Sequence, residues 1–256
     1  MLRHTQLWLS SIAVAALMAS AGANTWDETA NGGGDAGLTA GTAQIVAGNP
    51  NDPVTRITGR IADANDLADV FAIIISDPAN FHAHTGTTTE TTFDSKLTLY
   101  DSLGRPLWFN DDRPSDVAGA AVSPPNGVGS LRSYIGGASV PGNYRSSDTP
   151  TTAGSATWGL PGAGIYYLAI SHWRAEPRNA ANQNLFHEGS PFDPIYAPFA
   201  ARAGDSLAQW GTSGTISAGA YTIYLRGANF VPEPASMVAL GAGLAGLLGL
   251  RRRRTA

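Results

Sequence analysis

The hydrophobic pattern of this chain is that of short strands separated by turns. Residues 70–75 are apolar without a break, which predicts a strand covered on both faces. Leu97 and Leu99 alternate with Lys96, Thr98 and Tyr100, the period of a strand with one buried face. That phase puts Leu97 and Leu99 inside and leaves Lys96 and Thr98 in solvent. Asp101-Ser102-Leu103-Gly104 then turns the chain, Leu107-Trp108-Phe109 returns it, and Asn110-Asp111-Asp112 ends the pair. Further strands are expected at 44–46, at 54–58 up to Gly59, and at 81–85 up to Gly86. Residues 164–170 and 219–225 share the order Gly-x-Tyr-x-aliphatic-x-aliphatic and read as two strands of one sheet system. No long stretch carries the 3.6-residue period of an amphipathic helix. The expected class is all-β, a sandwich with long loop insertions near 114–163 and 173–214.

The two ends follow another pattern. Arg3 and His4 precede an apolar run over 7–17, and Ala19-Ser20-Ala21 and Ala21-Gly22-Ala23 are small-x-small sites. Together they predict a signal peptide helix over 1–23, cut after Ala23, with the Sec translocon and signal peptidase as partners. The tail over 231–256 has three parts. Val231-Pro232-Glu233-Pro234 is stiff, because its prolines neither donate to a ladder nor continue a helix. Residues 235–250 are free of charge and predict a short membrane helix, at the low end of the length that crosses a bilayer. Arg251, Arg252, Arg253 and Arg254, in the basic tail 251–256, would stay on the cytoplasmic side. The motif 231–234, the apolar helix and the arginine finish, in that order, resemble the PEP-CTERM sorting signal of bacteria that make extracellular polymeric matrix. That resemblance implies a transient anchor, cut near Pro-Glu-Pro by a membrane exosortase, and a cargo sent to the cell surface or matrix.

Charge narrows the partners. Removing Arg3 and the four C-terminal arginines leaves 11 of the 16 Lys+Arg, and removing Glu233 leaves 19 of the 20 Asp+Glu. The cargo is therefore acidic, near −8, and Lys96 is its one lysine. Such a balance excludes nucleic acid as a partner, which needs clustered basic side chains. There are no cysteines, so an exported chain of this kind is held by its core or by metal.

Between a loop-rich segment at 24–42 and the tail, residues 43–230 carry a second resemblance. Asp69-Val70-Phe71, then residues 93–101, Gly104, Phe109-Asn110-Asp111-Asp112 and residues 164–170 are similar in order and spacing to the bacterial pre-peptidase C-terminal domain. That resemblance implies a jelly-roll type of sandwich, non-catalytic, with relatives that bind calcium.

The candidate chemistry is sparse. Asp63, Asn65, Asp66 and Asp69 place hard oxygen donors in one short turn, and Asp111 and Asp112 end a strand that a sandwich would bring nearby. Oxygen donors suit calcium, although the spacing is not that of an EF-hand. The alternative is a solvated turn bonding its own backbone. His82 and His84 share one strand face, but zinc needs a third protein ligand and none is specified. Gly204-Asp205-Ser206-Leu207 spells the nucleophile signature of GDSL esterases, yet no histidine follows His187 to act as its base. Tyr166, Tyr167, Tyr221, Tyr224, Trp108, Trp158, Trp173 and Trp210 would suit sugar rings if exposed and the core if not. The reading is a non-enzymatic exported envelope or matrix protein, with a calcium- or polysaccharide-binding module as the alternative.

Overall fold

The structure, a computed structural model, describes residues 24–63, 65–111, 132–136, 144–149, 159–187 and 195–233. Its strands in chain order begin with β1 (Thr25–Asp27), β2 (Gln44–Ile45), β3 (Ala47–Gly48), β4 (Arg56–Ile61) and β5 (Ala68–Ile75). They continue with β6 (His82–Thr85), β7 (Ser95–Tyr100), β8 (Pro106–Asn110), β9 (Tyr134–Gly136) and β10 (Tyr144–Ser146). After β11 (Gly164–His172) come β12 (Ala175–Arg178), β13 (Ile195–Ala197) and β14 (Gln209–Thr212). The last are β15 (Gly219–Arg226), β16 (Ala228–Asn229) and β17 (Val231–Pro232). One 3-10 turn, Ala200–Arg202, is the sole helical element among the described residues.

Two sheets form a sandwich. One has the order β1-β4-β15-β6-β9 and the other β10-β13-β8-β7-β11-β5-β16. β5 shares its outer edge between β2, parallel, and β16, antiparallel. The two strands with the shared Gly-x-Tyr pattern sit in opposite sheets, β11 beside β5 and β15 beside β4. Their common spacing therefore reflects a common task, which is to send alternate large residues into one core. Phe71 of β5 meets Tyr221 of β15 across that core, edge to face, with centroids 6.4 Å apart.

The β7–β8 hairpin forms as its sequence predicts. Asp101 closes it, its Oδ1 accepting from the N–H groups of Leu103 and Arg105, both at 2.9 Å. Gly104 takes the positive φ of 75° that the turn requires. Leu99 lies in register with Leu168 of β11, and Leu168 with Phe71, so one continuous apolar row crosses the sheet. Leu99 is fully buried, and Leu99→Ala is expected to cost about 2–5 kcal/mol in a urea unfolding titration, from lost transfer energy plus a cavity. A loss below about 0.5 kcal/mol, the size of a surface change, would place Leu99 outside the core.

Three expectations need correction. Lys96 and Thr98 do face away from the sandwich core, as their phase requires, but neither is in solvent: they are 2% and 1% exposed. The segment 173–214 causes this. Its β13 extends the larger sheet beside β8, with Tyr196 in register with Phe109, while β12 and β14 pair with each other and lie over the outer face, where Phe186 stacks on Phe109, 5.4 Å away. Lys96 Nζ meets Glu176 of β12 at 2.5 Å. The expected loop insertion is therefore a third layer. Second, Gly59 does not stop a strand: β4 runs through it, paired with Tyr221. A Cβ there would fall 2.3 Å from both Glu28 Oε2 and the Tyr221 hydroxyl, so the glycine makes room for them. Third, the segment 24–42 is not outside the domain. β1 pairs in parallel with β4, and Trp26, Glu28 and Ala36 are buried.

Most of the expected insertion at 114–163 lies outside the described residues. So do the expected signal peptide at 1–23, the expected membrane helix at 235–250, and Arg251, Arg252, Arg253 and Arg254. Among the described residues no helix is long and apolar enough to cross a membrane.

Candidate cation site and the sorting segment

The acidic turn before β5 folds locally as its composition directs. Asp63 Oδ1 accepts from the Asn65 N–H at 2.7 Å, and Asp66 Oδ2 from the Ala62 N–H at 2.5 Å. Asp69 then enters β5 on the inward face, two residues before Phe71. Its neighbours come from far away in sequence. Asp27 starts a tight turn by accepting from Thr29 and Ala30 through Oδ1. Gly33 and Gly34 follow with positive φ, 79° and 152°, and the chain doubles back. Gln44 staples the loop, donating to the carbonyl oxygens of Glu28 and Gly34 at 3.1 and 2.8 Å. Glu28 and Asp35 are thereby set beside Asp69. One carboxylate oxygen from each of the three lies within 4.8 Å of the others.

The electrostatics of this corner are those of an uncompensated acidic cluster. Asp69 is fully buried, and neither of its carboxylate oxygens accepts a hydrogen bond of normal geometry. Burial, with the added repulsion of Glu28 and Asp66, pushes its pKa up to about 10. The nearby Tyr221 hydroxyl works in the opposite direction, but its proton is directed to Glu28 Oε2, 3.3 Å away. Asp66 is pushed up to about 6, chiefly by burial, and its Oδ1 is buried without a partner. Glu28 is better served, accepting from the N–H groups of Ala36 and Arg60 at 2.9 and 2.8 Å. Asp35 is exposed and gives the cluster an opening to solvent. A buried carboxylate among other carboxylates persists by keeping a proton or by sharing a cation. Hard oxygen donors from several chain segments are the set that calcium prefers.

The expected ligands divide. Asp69 is one of the three converging residues; Asp66 is not, although its carboxylate is repelled by Asp35 and Glu28. Asp63 adds to the repulsion on Asp66, but it lies outside the group of three converging oxygens. Asp111 does not join. Asp69 is in register with Ile170, Ile170 with Leu97, and Leu97 with Asn110, which puts the Asp111 end of β8 three strands away. At the spacing of paired strands this is about 14 Å. Asp112 lies outside the described residues. The sequence reading missed Glu28 and Asp35. Asp35 follows a run of three glycines, a local sign of a reversal; nothing near Glu28 signals its role.

Most of the other candidates are engaged in packing or hydrogen bonds. His82 and His84 share the outer face of β6, where they stack on Tyr134 and Tyr224 at 6.1 and 5.2 Å. Burial lowers the pKa of His82 to about 4. Ser206 Oγ donates to the Leu103 carbonyl at 2.9 Å, and Asp205 accepts from Asn179. Of the aromatic residues considered for sugar binding, Trp108, Tyr166, Trp210 and Tyr221 are buried, and Trp173 is exposed at 38%. Trp158 lies outside the described residues.

The C-terminal end of the fold is pinned to the edge of the sandwich. Ser76 Oγ donates to Asn229 Oδ1 at 2.6 Å, and Asn229 Nδ2 donates to the Pro50 carbonyl at 2.8 Å. The Val231 N–H donates to the Val46 carbonyl at 2.8 Å, as β17 pairs in parallel with β3. Residues 230–254 match the PEP-CTERM protein-sorting motif. The PEP-CTERM motif is the recognition signal of exosortase and implies export with transient anchoring in the membrane. It therefore covers the expected sorting residues Val231, Pro232, Glu233 and Pro234 and the four arginines, and its first residues are part of the folded edge. No curated protein matches the chain, and no solved structure does.

Proposed function

We propose that this chain is a non-enzymatic protein of the cell envelope or extracellular matrix. Its first 23 residues direct export through the Sec translocon and are removed by signal peptidase, and exosortase cuts its tail near Pro232-Glu233-Pro234. The sorting motif over 230–254 is the observation that carries this reading. The cargo is a sandwich of the jelly-roll, pre-peptidase C-terminal type, extended by a third layer. Replacing Pro232, Glu233 and Pro234 with alanine is expected to leave the protein exported and uncut, with its tail retained in the membrane fraction. Equal release of wild type and variant into the medium would count against the sorting reading.

A second reading concerns what the cargo binds. The fully buried Asp69, with no hydrogen bond to either oxygen, favours a cation-binding module over a polysaccharide-binding one. Glu28, Asp35 and Asp69 are the ligands we assign, with the Asp66 carboxylate near them, and calcium is the cation their oxygens suit. Extracellular polysaccharide remains a partner of the assembled matrix in this proposal, with Trp173 the exposed aromatic residue among the described candidates.

A further inference from the structure

The segment that leads into the sorting motif is held by the fold on both its side chains and its backbone. Asn229 is gripped by Ser76 and Pro50 through its side chain and bridges to Pro53 through its backbone. The Phe230 N–H donates to the Asp52 carbonyl at 3.3 Å, and its ring packs against the core. Gly48 of β3 lies directly under that ring: a Cβ at Gly48 would sit 2.8 Å from Phe230 Cγ. Val231 then pairs with Ala47, and Pro232 with Gly48, before the ladder ends.

We infer that the sandwich sequesters the first half of its own sorting motif, so that β17 must leave β3 before the tail is cut. The inference rests on the sorting reading given above. Three physical arguments lead to it. A protease works on an extended segment whose backbone groups are free to bond the enzyme, and the amide of Val231 is already committed to Val46. Space is short as well. Only four residues separate Pro232 from Met237, where the sequence becomes continuously apolar or Gly, and a chain of that length reaches at most about 18 Å. An enzyme at the membrane face therefore meets the folded domain almost at the cut. Finally, the hold is suited to release. Pro232 has no N–H to donate and β17 is two residues long, so it belongs to the segments that open locally before the domain unfolds.

The experiment is a pulse–chase of tail removal from the full chain, in a bacterium that carries an exosortase. Two variants loosen the hold and leave Val231-Pro232-Glu233-Pro234 and all that follows it unchanged. Gly48→Val drives its side chain into Phe230, and insertion of Gly-Ser-Gly-Ser between Phe230 and Val231 separates the motif from a sandwich that is complete through Phe230. Both are expected to lose the tail several-fold faster than wild type. If the valine disrupts the domain, seen as a lowered melting temperature, the insertion variant decides alone. Wild type cut as fast as the insertion variant, or faster, overturns the inference and leaves the sorting reading standing. A wild-type tail that is never removed, like that of the triple-alanine variant, overturns the sorting reading and this inference with it.

Discussion

In chelator, the stability of the purified chain is expected to fall steadily as pH rises from 7 to 10, and saturating calcium is expected to remove most of that fall. The sign follows from Asp69. Its pKa is about 10 in the folded protein against an ordinary 3.8. A group with a raised folded pKa contributes stability that is complete below the unfolded pKa and is lost as pH rises through the folded one. For Asp69 the loss runs from near pH 4 to near pH 10, at up to about 1.4 kcal/mol per pH unit for a fully buried group. Between pH 7 and pH 10 that amounts to about 4 kcal/mol.

Other groups titrate below that window. Asp66, at about 6, has given up its own contribution before pH 7. His82 and His172 are both lowered to about 4 by burial, so their contributions are present above pH 6.5 and lost only on acidification. Calcium takes the place of the proton on the ionised carboxylates. If it binds only the folded chain, it adds about 2.7 kcal/mol at 100 times its Kd. Asp69→Asn is expected to flatten the alkaline fall and to abolish the calcium shift. Thermal melts across pH in calcium and in chelator, for wild type and Asp69→Asn, check both halves. Identical wild-type melts in calcium and chelator would leave the cluster a protonated corner of the core. An unchanged calcium shift in Asp69→Asn would put the ion elsewhere.

Glu176→Ala is expected to cost about 3–5 kcal/mol, because it leaves the Lys96 ammonium charged and stranded between two layers. The pair is 2.5 Å apart, both side chains are nearly inaccessible, and Lys96 Nζ also lies 5.1 Å from the centre of the Phe109 ring. Lys96→Met alone is expected to cost a similar amount, since it removes the ammonium paired with a buried carboxylate. The double variant Lys96→Met, Glu176→Leu removes both charges and fills the gap with apolar atoms. It is expected to recover most of the loss, as replaced buried ion pairs commonly do. Urea unfolding of the three variants forms a double-mutant cycle. A double variant as unstable as the sum of the single ones would show that Lys96 and Glu176 act separately. It would then follow that the third layer does not depend on their contact.

What the sequence determined by itself was local. The strand phase at Leu97 and Leu99, the Asp101 hairpin, the Asp63–Asp66 turn and the PEP-CTERM motif are each written in a few consecutive residues. Periodicity, glycine freedom and side-chain-to-backbone hydrogen bonds act over that range, and so these features were legible. Exposure was not. Lys96 and Thr98 point where their period sends them, but a segment that starts more than 70 residues later covers them. A period of two distinguishes the faces of a sheet and carries no information about what lies upon either face. The acidic cluster has the same origin. Glu28 and Asp69 are 41 positions apart and meet only because β1 pairs with β4, the glycine turn reverses the chain, and Gly59 leaves space for a carboxylate. Converging like charges gain nothing from one another along the chain. Only the packed core holds them together, and burial then makes the convergence costly enough to require a proton or a cation.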